Sequence, residues 1–229
     1  MKRLISYLIA LTFACVLVAQ ERETRQLSSF SEISVSEAIT VELIKGNKEE
    51  AVVEADGIDL EDVITEVYRD RLEIEMRDRN RYSMNRSRRV TVYLTYREID
   101  EINVSSAANI FSREVVAGDK LEIEVSSAGD VELEVDVNTI DASVSSAGDL
   151  ELSGKAVRQF VKVSSSGDYK AFDLISEEAE IDASSSGDAE VFVTGRLEAE
   201  ATSAGSVRYK GDPDKIFVDS GSGGRVRKS

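Results

Sequence analysis

The chain reads as an all-β protein, a parallel β-solenoid with coils of about nineteen residues. Two observations predict this. A short motif recurs at near-constant spacing: Ser-Ser-Ala-Gly-Asp at 126–130 and 145–149, then Ser-Ser-Ser-Gly-Asp at 164–168 and 184–188. Ser-Ser-Ala-Ala-Asn at 105–109 precedes these copies and Thr-Ser-Ala-Gly-Ser at 202–206 follows them. Successive glycines at 129, 148, 167, 187 and 205 are 19, 19, 20 and 18 residues apart. Between motifs the hydropathy alternates with period two, as in Leu121, Ile123, Val125 and then Val131, Leu133, Val135. Such alternation marks strands with one buried face. An antiparallel sandwich would also bury that face. The repeated identity of the corner favours coils stacked in parallel, where each position meets its own equivalent every turn.

Each coil then holds two strand segments joined by the Ser-Ser-x-Gly-Asp corner, with a looser connection such as Asp136–Thr139 closing the turn. The structural corner residues are Ser127 and Gly129, Ser146 and Gly148, Ser165 and Gly167, Ser185 and Gly187, and Ser203 and Gly205. Counting by twos from Val125 puts these serines inward, where a hydroxyl needs a ladder or corner partner. The glycines suit a left-handed or closely stacked backbone. The amino-terminal half is less regular. Residues 33–44, 51–55, 64–76 and 90–96 read as strands, and Asp59 is placed to cap a short helical turn over 60–64. Residues 77–89 carry six arginines without apolar periodicity and read as an exposed loop.

Residues 1–19 have the pattern of a secretory signal peptide: Lys2-Arg3, an apolar run from Leu4 to Val18, and a polar turn at Gln20. The run is short for a bilayer span. An uncleaved anchor and a lipoprotein cysteine at Cys15 are the competing readings. Residues 20–220 form one solenoid domain, and Gly221–Ser229 reads as a flexible basic tail. The expected location is exported: periplasm, outer surface or extracellular. No second long apolar run exists, so the mature chain is not expected to span a membrane as a helix.

Composition bounds the chemistry. Of 229 residues, none is His and one is Cys, which removes the usual Ser/His/Asp and Cys/His machinery. A formal charge of -16 argues against nucleic acid as partner. The sharpest chemical feature is the aspartate column Asp130, Asp149, Asp168 and Asp188, whose members would stack about 5 Å apart. Carboxylates at that spacing are candidate calcium ligands. The preferred reading is structural, each Asp accepting from corner N–H groups. Glu122, Glu124, Glu132, Glu134 and Glu151 pave outward positions as a solvated negative face. Arg86, Arg88 and Arg89 are the candidates for docking an acidic glycan.

From Phe30-Ser31-Glu32-Ile33-Ser34-Val35 onward the chain resembles a known family. Ile39-Thr40-Val41-Glu42-Leu43, Thr65-Glu66-Val67, Leu72-Glu73-Ile74 and Val90-Thr91-Val92-Tyr93-Leu94 continue the resemblance, and the corner repeats complete it. The family is the auto-transporter adhesin head domain, or head GIN domain, a domain of unknown function of secreted Bacteroidetes-type proteins. The resemblance covers about residues 28–212. It implies a single-stranded, right-handed β-helix and supplies no catalytic residues. The arginine-rich insertion and Ala108-Asn109 in the first corner depart from the pattern.

The reading that follows is a non-enzymatic exported surface or envelope module, adhesin-like, binding a cell-surface glycan or protein of unknown identity. The alternatives are a β-helix enzyme acting on extracellular polysaccharide and a structural, cation-binding envelope protein. Calcium is the one cofactor considered. Oligomerisation is open, since an uncapped end can pair with another copy.

Overall fold

The computed structural model describes residues 21–77 and 89–229. Seventeen strands and one 3-10 turn make up the described chain. From residue 116 onward, coil follows coil. β10 (Val116–Val125), β11 (Asp130–Val144), β12 (Asp149–Val163), β13 (Asp168–Ala183) and β14 (Asp188–Ala201) pair in parallel, each with the next. The last coil is split into β15 (Ser206–Lys210) and β16 (Lys215–Ser220), both on β14, and β17 (Arg225–Lys228) lies on β15. The uneven spacing of the glycines has a local cause. β13 has 16 residues and β14 has 14, against 15 in β11 and β12, and the register slips where they differ.

Inward positions stack into columns, for example Ile102–Ile123–Ala142–Val161–Ile181–Ala199. Each such Val or Ile removed from water contributes roughly 1.5–3 kcal/mol, and each is covered by the coil above and the coil below. One column holds a polar residue. Gln159 is fully buried between Ile140 and Ala179. The Tyr169 hydroxyl donates to Gln159 Oε1 at 2.7 Å, Gln159 Nε2 donates to Ser176 Oγ at 2.9 Å, and Ser176 Oγ donates to the Phe192 carbonyl at 2.8 Å. Burial is tolerated because every member of this chain is bonded.

The corners differ from the expectation in one respect. Ser127, Ser146, Ser165, Ser185 and Ser203 are exposed, not inward. Two consecutive residues there are left-handed (Ser127 φ 51°, Ala128 φ 61°), and this swings both side chains outward before the chain returns to the core at Gly129. Left-handed backbone costs an ordinary residue about 1–2 kcal/mol. The chain accepts that cost at small Ser and Ala and places Gly where backbones touch. A Cβ on Gly148 would lie 2.9 Å from the Val125 carbonyl oxygen of the coil below. Gly129 and its equivalents are thus closely stacked, without positive φ.

The same corner geometry occurs at two places the repeat did not reveal. Ser36-Glu37-Ala38-Ile39 makes it with Glu37 φ 68° and Ala38 φ 57°, splitting the expected 33–44 strand into β2 (Glu32–Val35) and β3 (Thr40–Lys45). Gly221-Ser222-Gly223-Gly224 makes it again, with Ser222 φ 49° and Gly223 φ 83°. The tail expected to fray therefore begins a further coil, because β17 finds the edge of β15 to pair with.

At the amino-terminal end, chain order and stack order part. β6 (Arg71–Met76) and β8 (Glu101–Val104) lie on opposite sides of β2, while β7 (Arg89–Tyr96) and β9 (Asn109–Ser112) lie on opposite sides of β3. Antiparallel strands close this end. β4 (Glu50–Asp56) lies on β7, β1 (Glu21–Gln26) on β4, and β5 (Val63–Tyr68) on β6. Arg25 ties them together, donating to the carbonyls of Val63 at 2.6 Å and Leu60 at 2.7 Å and to Thr65 Oγ1 at 3.0 Å. The expected helical turn is the 3-10 turn Leu60–Asp62, but the Asp59 side chain makes no cap bond; its carbonyl accepts from Asp62 N–H at 3.0 Å. No helix of the described residues is long and apolar enough to cross a membrane.

Candidate functional site

The aspartates form a column in register: Asn109, Asp130, Asp149, Asp168, Asp188 and Ser206 are successive ladder partners. Their expected role at the corner N–H groups is filled by the backbone. Ser126 N–H donates to the Val104 carbonyl at 2.9 Å, Ala128 N–H to Ser146 at 3.1 Å, and Asp149 N–H to Gly129 at 2.9 Å. The carboxylates instead meet one another. Asp130 and Asp168 are both pushed above the usual carboxylate range, first by burial and then by the charge of Asp149. Lys170 supplies the opposing charge. It pairs with Asp149, whose hydrogen bond raises the lysine's own pKa. Among the described residues no three Asp, Glu, Cys or His side chains are arranged to hold a metal ion.

Lys170 belongs to the adjoining outward column, Phe111–Glu132–Glu151–Lys170–Glu190–Arg208. Arg208 pairs with Glu190 across one rung. A third outward position brings Phe172 beside this column, with Lys210 Nζ 4.1 Å from its ring centroid. Glu132, Glu151, Lys170 and Glu190 of this column, with Phe172 and Lys210, line an open cleft of about 390 Å³, whose floor is the sheet and whose walls carry both charges and one aromatic ring. Period-two reading finds the outward positions but cannot say which lie on one face. The one signal the sequence carries for Lys170, Phe172 and Lys210 is the departure from Glu at an outward position. Glu132, Glu134 and Glu151 line this cleft, whereas Glu122 and Glu124 lie on the coil's other face.

That second face is more acidic. Glu101, Glu122, Asp141, Phe160, Glu180, Glu198 and Phe217 form one outward column. Beside it Lys120 pairs with Glu122 at 2.8 Å and Asp141 at 3.6 Å, and Arg196 with Glu198 at 2.5 Å. Of the arginine candidates, Arg86 and Arg88 lie outside the described residues. Arg89 is the exposed first residue of β7, opposite Asp56 on β4. The strands flanking the insertion are those that the four-residue corner joins in other coils, since Ile74 is level with Val35 and Thr91 with Thr40.

Residues 29–213 match the family described as "Putative auto-transporter adhesin, head GIN domain". The chain belongs to this family. Family membership goes with an exported or surface location in general terms. The fold is shared with solved structures of low sequence identity. The chain is similar to a "putative adhesin" from Bacteroides fragilis, with TM-score 0.85 and 17% identity over 93% of this chain and 98% of that one. It is similar to a "putative adhesin" from Parabacteroides merdae, with TM-score 0.74 and 17% identity over 93% and 97%. A "putative lipid binding protein" from Parabacteroides distasonis gives TM-score 0.71 and 22% identity over 93% and 98%. No curated protein matches the chain.

Proposed function

We propose that this head GIN domain is an exported, adhesin-like binding module that works without catalysis, through the face carrying the aspartate column and the Lys170–Phe172–Lys210 cleft. The observation that carries the reading is that cleft. It sets donors, acceptors and a ring on a rigid ladder, open to one side, as a binding face for a large hydroxylated ligand requires. A cell-surface glycan fits it best, since sugar hydroxyls both accept from lysine and donate to carboxylate. A protein surface of mixed charge is the second ligand class. Residues 1–19 act as the export leader in this reading, and the module faces the periplasm, the outer surface or the medium.

The test is a screen of immobilised glycans and matrix proteins, with K170E, F172A and K210E tested against each hit, with and without calcium. Saturable binding weakened at least tenfold by these variants supports the reading. Binding that survives them but is lost on neutralising Arg86, Arg88 and Arg89 moves the site to the arginine-rich insertion. Shortening of a polysaccharide in the same assay replaces the binding module with an enzyme.

A further inference from the structure

The two ends of the solenoid are unlike. The amino-terminal end is closed by two antiparallel edge strands, β1 and β5, of which β1, Glu-Arg-Glu-Thr-Arg-Gln, carries no apolar side chain. At the other end β16 pairs on one side only, with β14, and every one of its six residues is exposed. Two of them belong to core columns. Ile216 continues the column of Leu197 and Val218 that of Ala199, yet they are 48% and 48% exposed, where Leu197 and Ala199 are 0% and 2%. Nothing in the described chain lies above them.

We infer that β16 is the contact of a two-fold, end-to-end dimer, pairing antiparallel with β16 of a second copy. The side chains set the register. Residues opposite one another across an antiparallel pair point to the same face, so inward Ile216 and Val218 must meet inward residues. A two-fold axis through Phe217 does this: Ile216 meets Val218 of the second copy, and Phe217 meets its own equivalent. The same register places Lys215 opposite Asp219. Within the described chain neither has an ion-pair partner, so the strand Lys-Ile-Phe-Val-Asp-Ser is self-complementary in charge as well as in shape. A shift by one residue would set Ile216 against Asp219 and bury a carboxylate. The contact is isologous and uses up the β16 edge of both copies, so this pairing closes at two copies. β17 at the same end carries Arg225, Arg227 and Lys228, which face like charge in such a pair. Association is therefore measured at physiological salt, where the Debye length is about 8 Å.

Sedimentation velocity of the exported protein over a concentration series is expected to show reversible dimerisation. K215D and D219K each set like charges opposite at two symmetry-related places and should weaken the dimer about tenfold. The double swap K215D/D219K should restore it to within about threefold. All these positions are exposed, so circular dichroism should be unchanged. A second readout tests the register itself. Cys15 is the only native cysteine, so the wild type is the control for oxidative cross-linking. F217C lies opposite itself and should form an intermolecular disulfide, whereas K215C, four residues from its own equivalent, should not. A monomer up to millimolar concentration, a double swap that fails to rescue, or equal cross-linking at 215 and 217 overturns the proposal.

Discussion

The stacked glycines make the most direct test of the fold, because the room beneath them shrinks along the solenoid. A Cβ on Gly129 would stand 3.0 Å from Val104 Cγ1, which can turn aside, and 3.0 Å and 3.1 Å from the Val104 and Ser126 carbonyl oxygens, backbone contacts that need give by only a few tenths of an ångström. A Cβ on Gly205 would stand 2.4 Å from the Ala183 oxygen, 2.6 Å from its carbonyl carbon and 2.9 Å from Ser184 nitrogen, all backbone. Relief at Gly205 means parting two rungs. Thr202 N–H to Ala183 and Ser206 N–H to Gly187, both 2.9 Å, are the bonds at risk. Overpacking costs about 1–3 kcal/mol and each weakened bond about 1 kcal/mol. Against this, replacing Gly by Ala stabilises by about 0.4–1 kcal/mol through the unfolded chain. The balance is about 0–1 kcal/mol for G129A and roughly 2–4 kcal/mol for G205A. Urea unfolding followed by far-ultraviolet circular dichroism measures it, together with amide exchange of residues 202–228, since terminal coils of a repeat protein can open on their own. If G205A loses neither midpoint nor local protection beyond G129A, the close approach of stacked corners is wrong.

Removing charge from the aspartate column should help rather than harm. Asp168 has a folded-state pKa raised by burial and by Asp149, so its proton is held more tightly folded than unfolded. Its contribution to stability then grows as pH falls from above the folded pKa towards the unfolded one; D168N should raise the melting temperature at pH 7 by a few tenths to about 1 kcal/mol equivalent and flatten that part of the pH profile, and a lower melting temperature at pH 7 would contradict it. Q159A strands the Tyr169 hydroxyl in a dry core and should cost roughly 3–5 kcal/mol in urea titrations, with Y169F added on top recovering part of the loss. R25A should leave the global midpoint within about 1 kcal/mol, while exchange mass spectrometry shows β1 and β5 opening faster; unchanged protection there would remove Arg25 from its role as the latch.

The coils after residue 116 were legible because one physical constraint repeats in them. A strand buried on one face must alternate, and a corner pressed between two others must keep its narrowest residue, so both leave periodic marks. The corner does not carry the strand's parity through. Parity counted through Val125 and Ser127 holds only while φ stays negative, and Ser127 at 51° breaks it. The same corner escaped notice where its marker changed. Ile39 takes the glycine position in the earliest corner, and Gly221–Gly224 supplies the last one from residues that read as a loose tail. The candidate face was half legible. Asp130 to Asp188 announce a column, but its partner Lys170 and the cleft residue Lys210 come from other columns, and only coil geometry says which columns adjoin.

Stack order at the amino-terminal end had no mark in the sequence at all. A repeat read along the chain implies that each coil lies on the one before it. Here β2 and β3 are flanked on one side by β6 and β7 and on the other by β8 and β9, so the chain visits the end of the stack and returns across it. The reason is the end itself. A coil with no neighbour exposes a full ring of N–H and C=O groups and half its core, and a parallel coil cannot cover another without creating the same edge again. β4 and β5 run antiparallel to β7 and β6 and take those bonds from the side, which needs chain on both flanks of the capped coil. Residues 46–100 supply it, with strands whose alternation resembles that of any other strand. At the far end no such antiparallel cover is present among the described residues, and the difference between the ends follows: antiparallel β1 and β5 close one, and the apolar, charge-matched β16 leaves the other suited to its own copy.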